Sequence, residues 1–207
     1  MLRGIAQAGP LAGSRGRACA RACARWALAL AVAACALAAP ACKRSKHPHV
    51  AGFAPPPLPA GFTEQAGAGW RIAIPSTWKD TPQRGAAAWA AADPQAVDDF
   101  HANVNVVTEP FTGESYDYAR ANEAALRRES RSTVEATRDD VVDGDPTLVF
   151  ESRWAPVPPS TAPYRVMMTA LSSRGTGYVV ACAVSASAFE RYRSTCDSIV
   201  RSFAVER

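Results

Sequence analysis

Along residues 102–108, Ala-Asn-Val-Asn-Val-Val-Thr, apolar and polar side chains alternate. A period of two puts Val104 and Val106 on one face of a strand and Asn103 and Asn105 on the other. Gly69-Trp70-Arg71-Ile72-Ala73-Ile74 alternates in the same way and stops at Pro75, so a strand ending in a turn is predicted there. Ala86 to Ala92, containing Trp89, is a third candidate strand. From Ser115 to Arg131 the period changes. Tyr118, Ala121, Ala125 and Leu126 fall on one side and Arg120, Glu123, Arg127 and Arg128 cover the rest, which predicts an amphipathic helix with Ser115 as its N-cap. Asp143-Gly144-Asp145 then forms a turn between two extended runs, and Thr147 to Trp154 continues from it. Tyr164 to Leu171 and Gly177 to Val184, parted by Ser173-Arg174-Gly175-Thr176, complete an antiparallel meander. In the last stretch, Ser187 to Phe203, the residues Phe189, Tyr192, Cys196, Ile199, Val200 and Phe203 recur at three- and four-residue steps. A closing helix packed on the sheet is predicted. This order of elements implies an α+β domain over residues 61–207, an antiparallel β-sheet flanked by helices.

The chain ahead of that domain is patterned differently. Arginines at 15, 17, 21 and 25 precede an apolar stretch that begins Trp26-Ala27-Leu28-Ala29-Leu30, the basic-then-apolar order of a signal peptide. The apolar run from Trp26 to Ala41 is alanine-rich and broken by Pro40, and it falls short of the roughly 20 residues that cross a bilayer. Residues 1–34 are therefore expected to be removed on export. Cys19 and Cys23 go with them and receive no role. Val32-Ala33-Ala34-Cys35 resembles the lipobox of bacterial lipoproteins, which makes Cys35 the expected lipidation site. Cys42 is the alternative. Pro40 suits a lipobox poorly, and Ala39-Pro40-Ala41 fits an ordinary signal-peptidase site, but anchoring at Cys42 leaves an even number of cysteines in an oxidising compartment.

Residues 35–60 then read as a lipid-anchored Pro-rich tether. Prolines at 48, 55, 56, 57 and 59 favour extended polyproline II, with few groups able to join a core. Such a tether would hold the domain away from a membrane surface. His47 and His49 are expected to be solvated, since two histidines without a third ligand make a poor metal site.

Charge changes the picture of partners. The chain carries 23 basic and 19 acidic residues. Five arginines and no acid lie in residues 1–34; without that segment and Lys43, Arg44 and Lys46, 15 bases face 19 acids. A domain of that sign is repelled by a polyphosphate backbone, so nucleic acid is not an expected partner.

Several segments resemble a known family. These are Trp70-Arg71-Ile72-Ala73-Ile74-Pro75-Ser76-Thr77-Trp78, the Asn103-Val104-Asn105-Val106 strand ahead of a helix, and the Asp143-Gly144 turn. Gly177-Tyr178-Val179-Val180-Ala181-Cys182 and the ending Ile199-Val200-Arg201-Ser202-Phe203 join them. Together they are similar to the PsbP-like α/β/α sandwich superfamily, which includes DcrB- and LpqN-type bacterial lipoproteins. These are packing and turn residues, so the resemblance bears on fold more than activity. It implies a non-enzymatic accessory or binding domain, with no catalytic residues to carry over and no cofactor.

The remaining chemistry is sparse. Cys182 and Cys196, 14 positions apart on a strand and the helix returning across it, are placed to form a disulfide. His101, the one histidine of the domain, accompanies no Gly-x-Ser-x-Gly elbow and is expected to be a polar residue at a strand edge. Asp98-Asp99, Asp139-Asp140 and Asp143/Asp145 lack the spacing of a calcium loop and are expected to be solvated acids. Trp70, Trp78, Trp89 and Trp154 are expected in the core. Two functional classes follow: a membrane-anchored envelope module binding a protein or a small apolar ligand, or an envelope enzyme of hydrolase type with a dispersed site.

Overall fold

The computed structural model describes residues 45–82, 87–156 and 161–207. The 1–34 export segment, Cys35 and Cys42 lie outside the described residues. Among the described residues the strands are β1 (Phe62–Gly67), β2 (Trp70–Pro75), β3 (Lys79–Asp80), β4 (Ala87–Val97), β5 (Phe100–Pro110), β6 (Ser132–Val142), β7 (Asp145–Trp154), β8 (Tyr164–Ser173), β9 (Thr176–Ser185) and β10 (Ala204–Val205). Two helices, α1 (Ser115–Leu126) and α2 (Phe189–Ser202), accompany them.

Three two-residue turns build most of the large sheet. Asp98-Asp99 joins β4 to β5, Asp143-Gly144 joins β6 to β7, and Arg174-Gly175 joins β8 to β9. All six residues have positive φ, the backbone that matches the twist of a tight hairpin. Asp98 and Asp99 adopt it without glycine, and Asp98 is held there by the Ser185 and Ser187 hydroxyls, which donate to its carboxylate. Those two bonds outweigh the small upward effect of burial and lower its pKa.

The seven strands run in the order β3-β4-β5-β9-β8-β7-β6, every neighbouring pair antiparallel. A smaller sheet has the order β1-β2-β10. On β9, Tyr178, Val180, Cys182 and Val184 join one core, and Val179, Ala181 and Ala183 join the other. Helix α2 and the small sheet cover the first face with Phe189, Ile199, Val200, Trp70, Ile72 and Ile74. Helix α1 covers the second face over β7 and β8 with Tyr118, Ala119 and Leu126. The result is the expected α+β architecture, an antiparallel sheet between helical layers.

Helix α2 is pinned twice. Cys182 on β9 and Cys196 on α2, both fully buried, form the expected disulfide. Glu151 on β7 pairs with Arg193 on α2 and with Arg165 on β8. The Arg165 guanidinium lies 3.8 Å from the centroid of the Phe189 ring, so the helix start is clamped by charge and ring together.

The structure departs from the sequence expectations in several places. Helix α1 stops at Leu126 rather than Arg131, because Arg128 and Glu129 turn back onto Ala125 and Leu126 and the Ser132 hydroxyl donates to the Leu126 carbonyl. Its N-cap is Glu114, while Ser115 is the first helical residue and spends its hydroxyl on Asp145. Ala119 is buried in place of Ala121, which is exposed. The small sheet was not anticipated: Val205 returns past α2 to pair with Trp70. Trp70, Trp78 and Trp154 are buried as expected, and Trp89 is half-buried against Trp70.

Replacing both Cys182 and Cys196 by Ala is expected to cost about 3 kcal/mol, the loop-closure value for a short cross-link. Urea denaturation checks this, with the midpoint falling; an unshifted midpoint would show that the bridge does not stabilise the fold.

Candidate functional site

Residues 45–50 do not hang free. Pro48 stands between two histidines and, with its restricted φ, favours an extended course. The backbone N–H groups of Lys46 and His47 donate to the two Glu114 carboxylate oxygens at 3.1 and 3.0 Å. The His47 ring stacks on Tyr116 with centroids 4.1 Å apart. His49 Nδ1 lies 3.1 Å from Asp145 Oδ1, and the Val50 N–H donates to the Gly144 carbonyl at 2.6 Å. Gly144 is required here twice over. Its φ is 78°, and a Cβ would come within 2.2 Å of the His49 ring.

Asp145 is the centre of this arrangement. Its Oδ1 also accepts from Arg207 at 3.1 Å, and its Oδ2 accepts from the Ser115 hydroxyl at 2.8 Å. Arg207 donates as well to the Asp143 carbonyl, and the Val205 N–H donates to the Asp143 carboxylate. The N-terminal segment, the start of α1, the β6–β7 turn and the C-terminus thus meet at one buried carboxylate. Burial of Asp145 is tolerable because each oxygen has a donor.

Serine, aspartate and histidine come together here in the wrong order for a nucleophile. Asp145 sits between Ser115 and His49, so the imidazole pairs with the acid and not with the hydroxyl. Ser115 is further occupied by accepting the Ser172 N–H.

Beyond Val50 the chain arches over the domain through Phe53, Pro55, Pro56 and Leu58, leaving two spaces beneath it. One, about 710 Å³, is walled by Phe53, Pro56, Tyr116, Val141 and Pro146, with Asp139, Asp140 and Arg201 as its charged groups. The other, about 440 Å³, lies between Leu58 and Arg71, Arg201 and Arg207. Phe53, Pro56 and Arg201 border both, and both fall within the size range of small-molecule sites. Arg201 is fixed by Asp140 at 3.0 Å, and the Tyr116 hydroxyl donates to Asp139 at 2.8 Å, a bond that raises the tyrosine pKa. A third space, about 720 Å³, lies at the opposite end of the sheet beside Asp98, Arg153, Arg165 and Ser187.

These contacts correct three expectations. His47 and His49 both make contacts with the domain, His47 half-buried on Tyr116 and His49 exposed beside Asp145. The Pro-rich stretch contributes groups to the folded unit through backbone N–H donors and rings. Asp140, Asp143 and Asp145 are ion-paired to arginines, not free acids. His101 is exposed at the start of β5, its Nδ1 2.9 Å from the Asp93 carbonyl. Among the described residues no group of three or more His, Cys, Asp and Glu could hold a metal, and no helix is long and apolar enough to cross a membrane. Glu114, Tyr116 and Arg207 carry no signal in the sequence, because their partners are distant along the chain. The only local signal was the pair of histidines around Pro48.

A seven-stranded antiparallel sheet between α1 on one face and α2 with a small sheet on the other defines a PsbP-like fold. Among solved structures that share it, LpqN of Mycobacterium tuberculosis, described as involved in cell envelope biogenesis, superposes with a TM-score of 0.52 at 10% identity. The match spans 70% of this chain and 91% of that one. CyanoP, the PsbP of Synechocystis sp. PCC 6803, matches 75% of this chain and 98% of its own at 14% identity, with a TM-score of 0.48. At such identities the likeness is one of fold. No protein-family model and no curated protein matches the chain.

Burial pushes the Glu114 carboxyl up, and the N–H bonds from Lys46 and His47, with the Ser45 hydroxyl, outweigh it and leave its pKa lowered. A lowered folded pKa means that this contribution is complete above the ordinary glutamate value near about 4.3 and is lost as pH falls through the folded value. Residues 45–60 are expected to resist limited proteolysis at neutral pH and to become cleavable in acid, and Glu114→Ala should make them cleavable at neutral pH with the core intact. Cleavage that is equally fast in parent and variant would contradict the docking.

Proposed function

We propose that the chain is an exported, lipid-anchored protein of the cell envelope whose PsbP-like domain is a non-enzymatic accessory or binding module. The observation that carries this reading is the buried Cys182–Cys196 disulfide. Such bonds form and persist in oxidising compartments and are rare in the cytosol. It agrees with the arginine-then-apolar export pattern of residues 15–34 and with the lipobox-like Val32-Ala33-Ala34-Cys35. The binding half of the reading rests on the 710 Å³ space, whose apolar walls and few fixed polar groups suit a small apolar ligand or the side chains of an envelope protein.

Growth with labelled palmitate is expected to label the protein in the membrane fraction, and replacement of the acylated cysteine, Cys35 or in its place Cys42, should abolish the label. Label that persists in a chain with both Cys35→Ser and Cys42→Ser would sink the anchor.

A further inference from the structure

We propose that Lys46–Val50 is a latch that seats the domain directly on the bilayer, with the sheet end bearing the β6–β7 turn and the start of α1 toward the lipid. The inference rests on the lipid anchor proposed above. A tether free up to Gly61 would let the domain stand off by as much as about 65 Å from an anchor at Cys42, or about 90 Å from one at Cys35. Docking at Ser45–Val50 removes the 45–60 stretch from that reach. At full extension the residues between the anchor and Ser45 then span at most about 10 Å from Cys42, or about 35 Å from Cys35. A domain whose strands of ten or eleven residues are about 35 Å long cannot turn its far end to the membrane on the shorter leash.

The docking points favour this geometry. Lys46, His47, His49 and Val50 bind Glu114, Tyr116, Asp145 and Gly144, all at one end of the large sheet. The β8–β9 turn at Arg174-Gly175 lies at that same end, since Ser173 and Thr176 close its hairpin and the Phe111 N–H donates to the Gly175 carbonyl. The Asp98-Asp99 turn is at the other. Lys43 and Arg44 lie in sequence between the anchor and the latch, and Lys46 opens the latch, so basic side chains stand where proximity to a surface gains from anionic headgroups. Lys46 gives only its backbone N–H to Glu114, and the residue is exposed. Release of the latch would return about 50 Å of reach, so the same chain has a short and a long form.

Energy transfer to a lipid acceptor tests this with the acylated full chain in vesicles of phosphatidylethanolamine and phosphatidylglycerol. A donor is placed at position 117 on α1 with D117C or at position 95 near the far turn with Q95C, and Cys42 is serine if Cys35 carries the lipid. Transfer from position 117 is expected to exceed that from position 95 several-fold. The combined change His47→Ala, His49→Ala and Glu114→Ala should bring position 117 down toward the value at position 95. A flexible Gly-Ser insertion between Lys43 and Arg44 should do the same without touching the domain. An acylated chain whose transfer ignores the latch changes and the insertion, or is equal at both positions, overturns the proposal and leaves the anchor standing. A chain that takes no acyl label overturns both.

Discussion

Strand β9 is buried along all but its first residue, and successive side chains must satisfy two different cores. That constraint organises the domain. On the α2 side the bulky Tyr178, Val180 and Val184 need a thick layer, which α2 and the small sheet supply. On the α1 side the residues of β9 are Val179, Ala181 and Ala183, and Gly177 is so close to Tyr118 that a Cβ would come within 2.5 Å of its ring. Small residues there let α1 settle against β7 and β8, where Leu148, Phe150 and Met168 fill the interface. Cys182 faces the α2 side, which is why the disulfide joins β9 to α2.

A second consequence concerns charge. With apolar groups committed to two cores, the polar residues of the sheet pair at its margins. Glu151 and Arg165 hold the start of α2, Arg138 and Asp140 meet Asp197 and Arg201 near its end, and Asp145 gathers His49 and Arg207 at one edge. The partly exposed pairs among these contribute little singly, about 0–1 kcal/mol, while the buried Glu151 and Asp145 are tolerated inside only because they are paired. Their effect is positional: Asp145 fixes where the segment around His49 crosses the domain.

Much of the fold could be read from the sequence because its central strands obey a plain period. Val104 and Val106 alternate with asparagines, Gly177–Val184 is a continuous apolar run of the sort a doubly covered strand requires, and Tyr164–Leu171 is apolar but for Arg165 and Thr169. The closing helix was legible for the same reason, its buried residues recurring at helical steps. The shortest strands were not. β6 shows in the sequence only as an extended run ahead of the Asp143-Gly144 turn, because it exposes Glu135, Ala136, Thr137 and Asp139 and has no strong apolar face, while β3 and β10 are two residues each and exist only through their partners. The docking of residues 45–50 was illegible on different grounds. A proline-rich composition predicts extension, but whether such a segment is free or docked depends on donors and rings meeting groups that lie 67 to 96 positions later.

The folded unit is expected to begin at the docked histidines and not at Gly61. Amide hydrogen exchange of the full chain measures this directly. Lys46, His47 and Val50 each donate a backbone N–H to the domain, so their exchange is expected to be slowed well below that of an unstructured peptide, and Glu114→Ala should release Lys46 and His47 while Val180 in the core stays protected. Exchange of all three at the unstructured rate in the parent chain, with Val180 still protected, would contradict it.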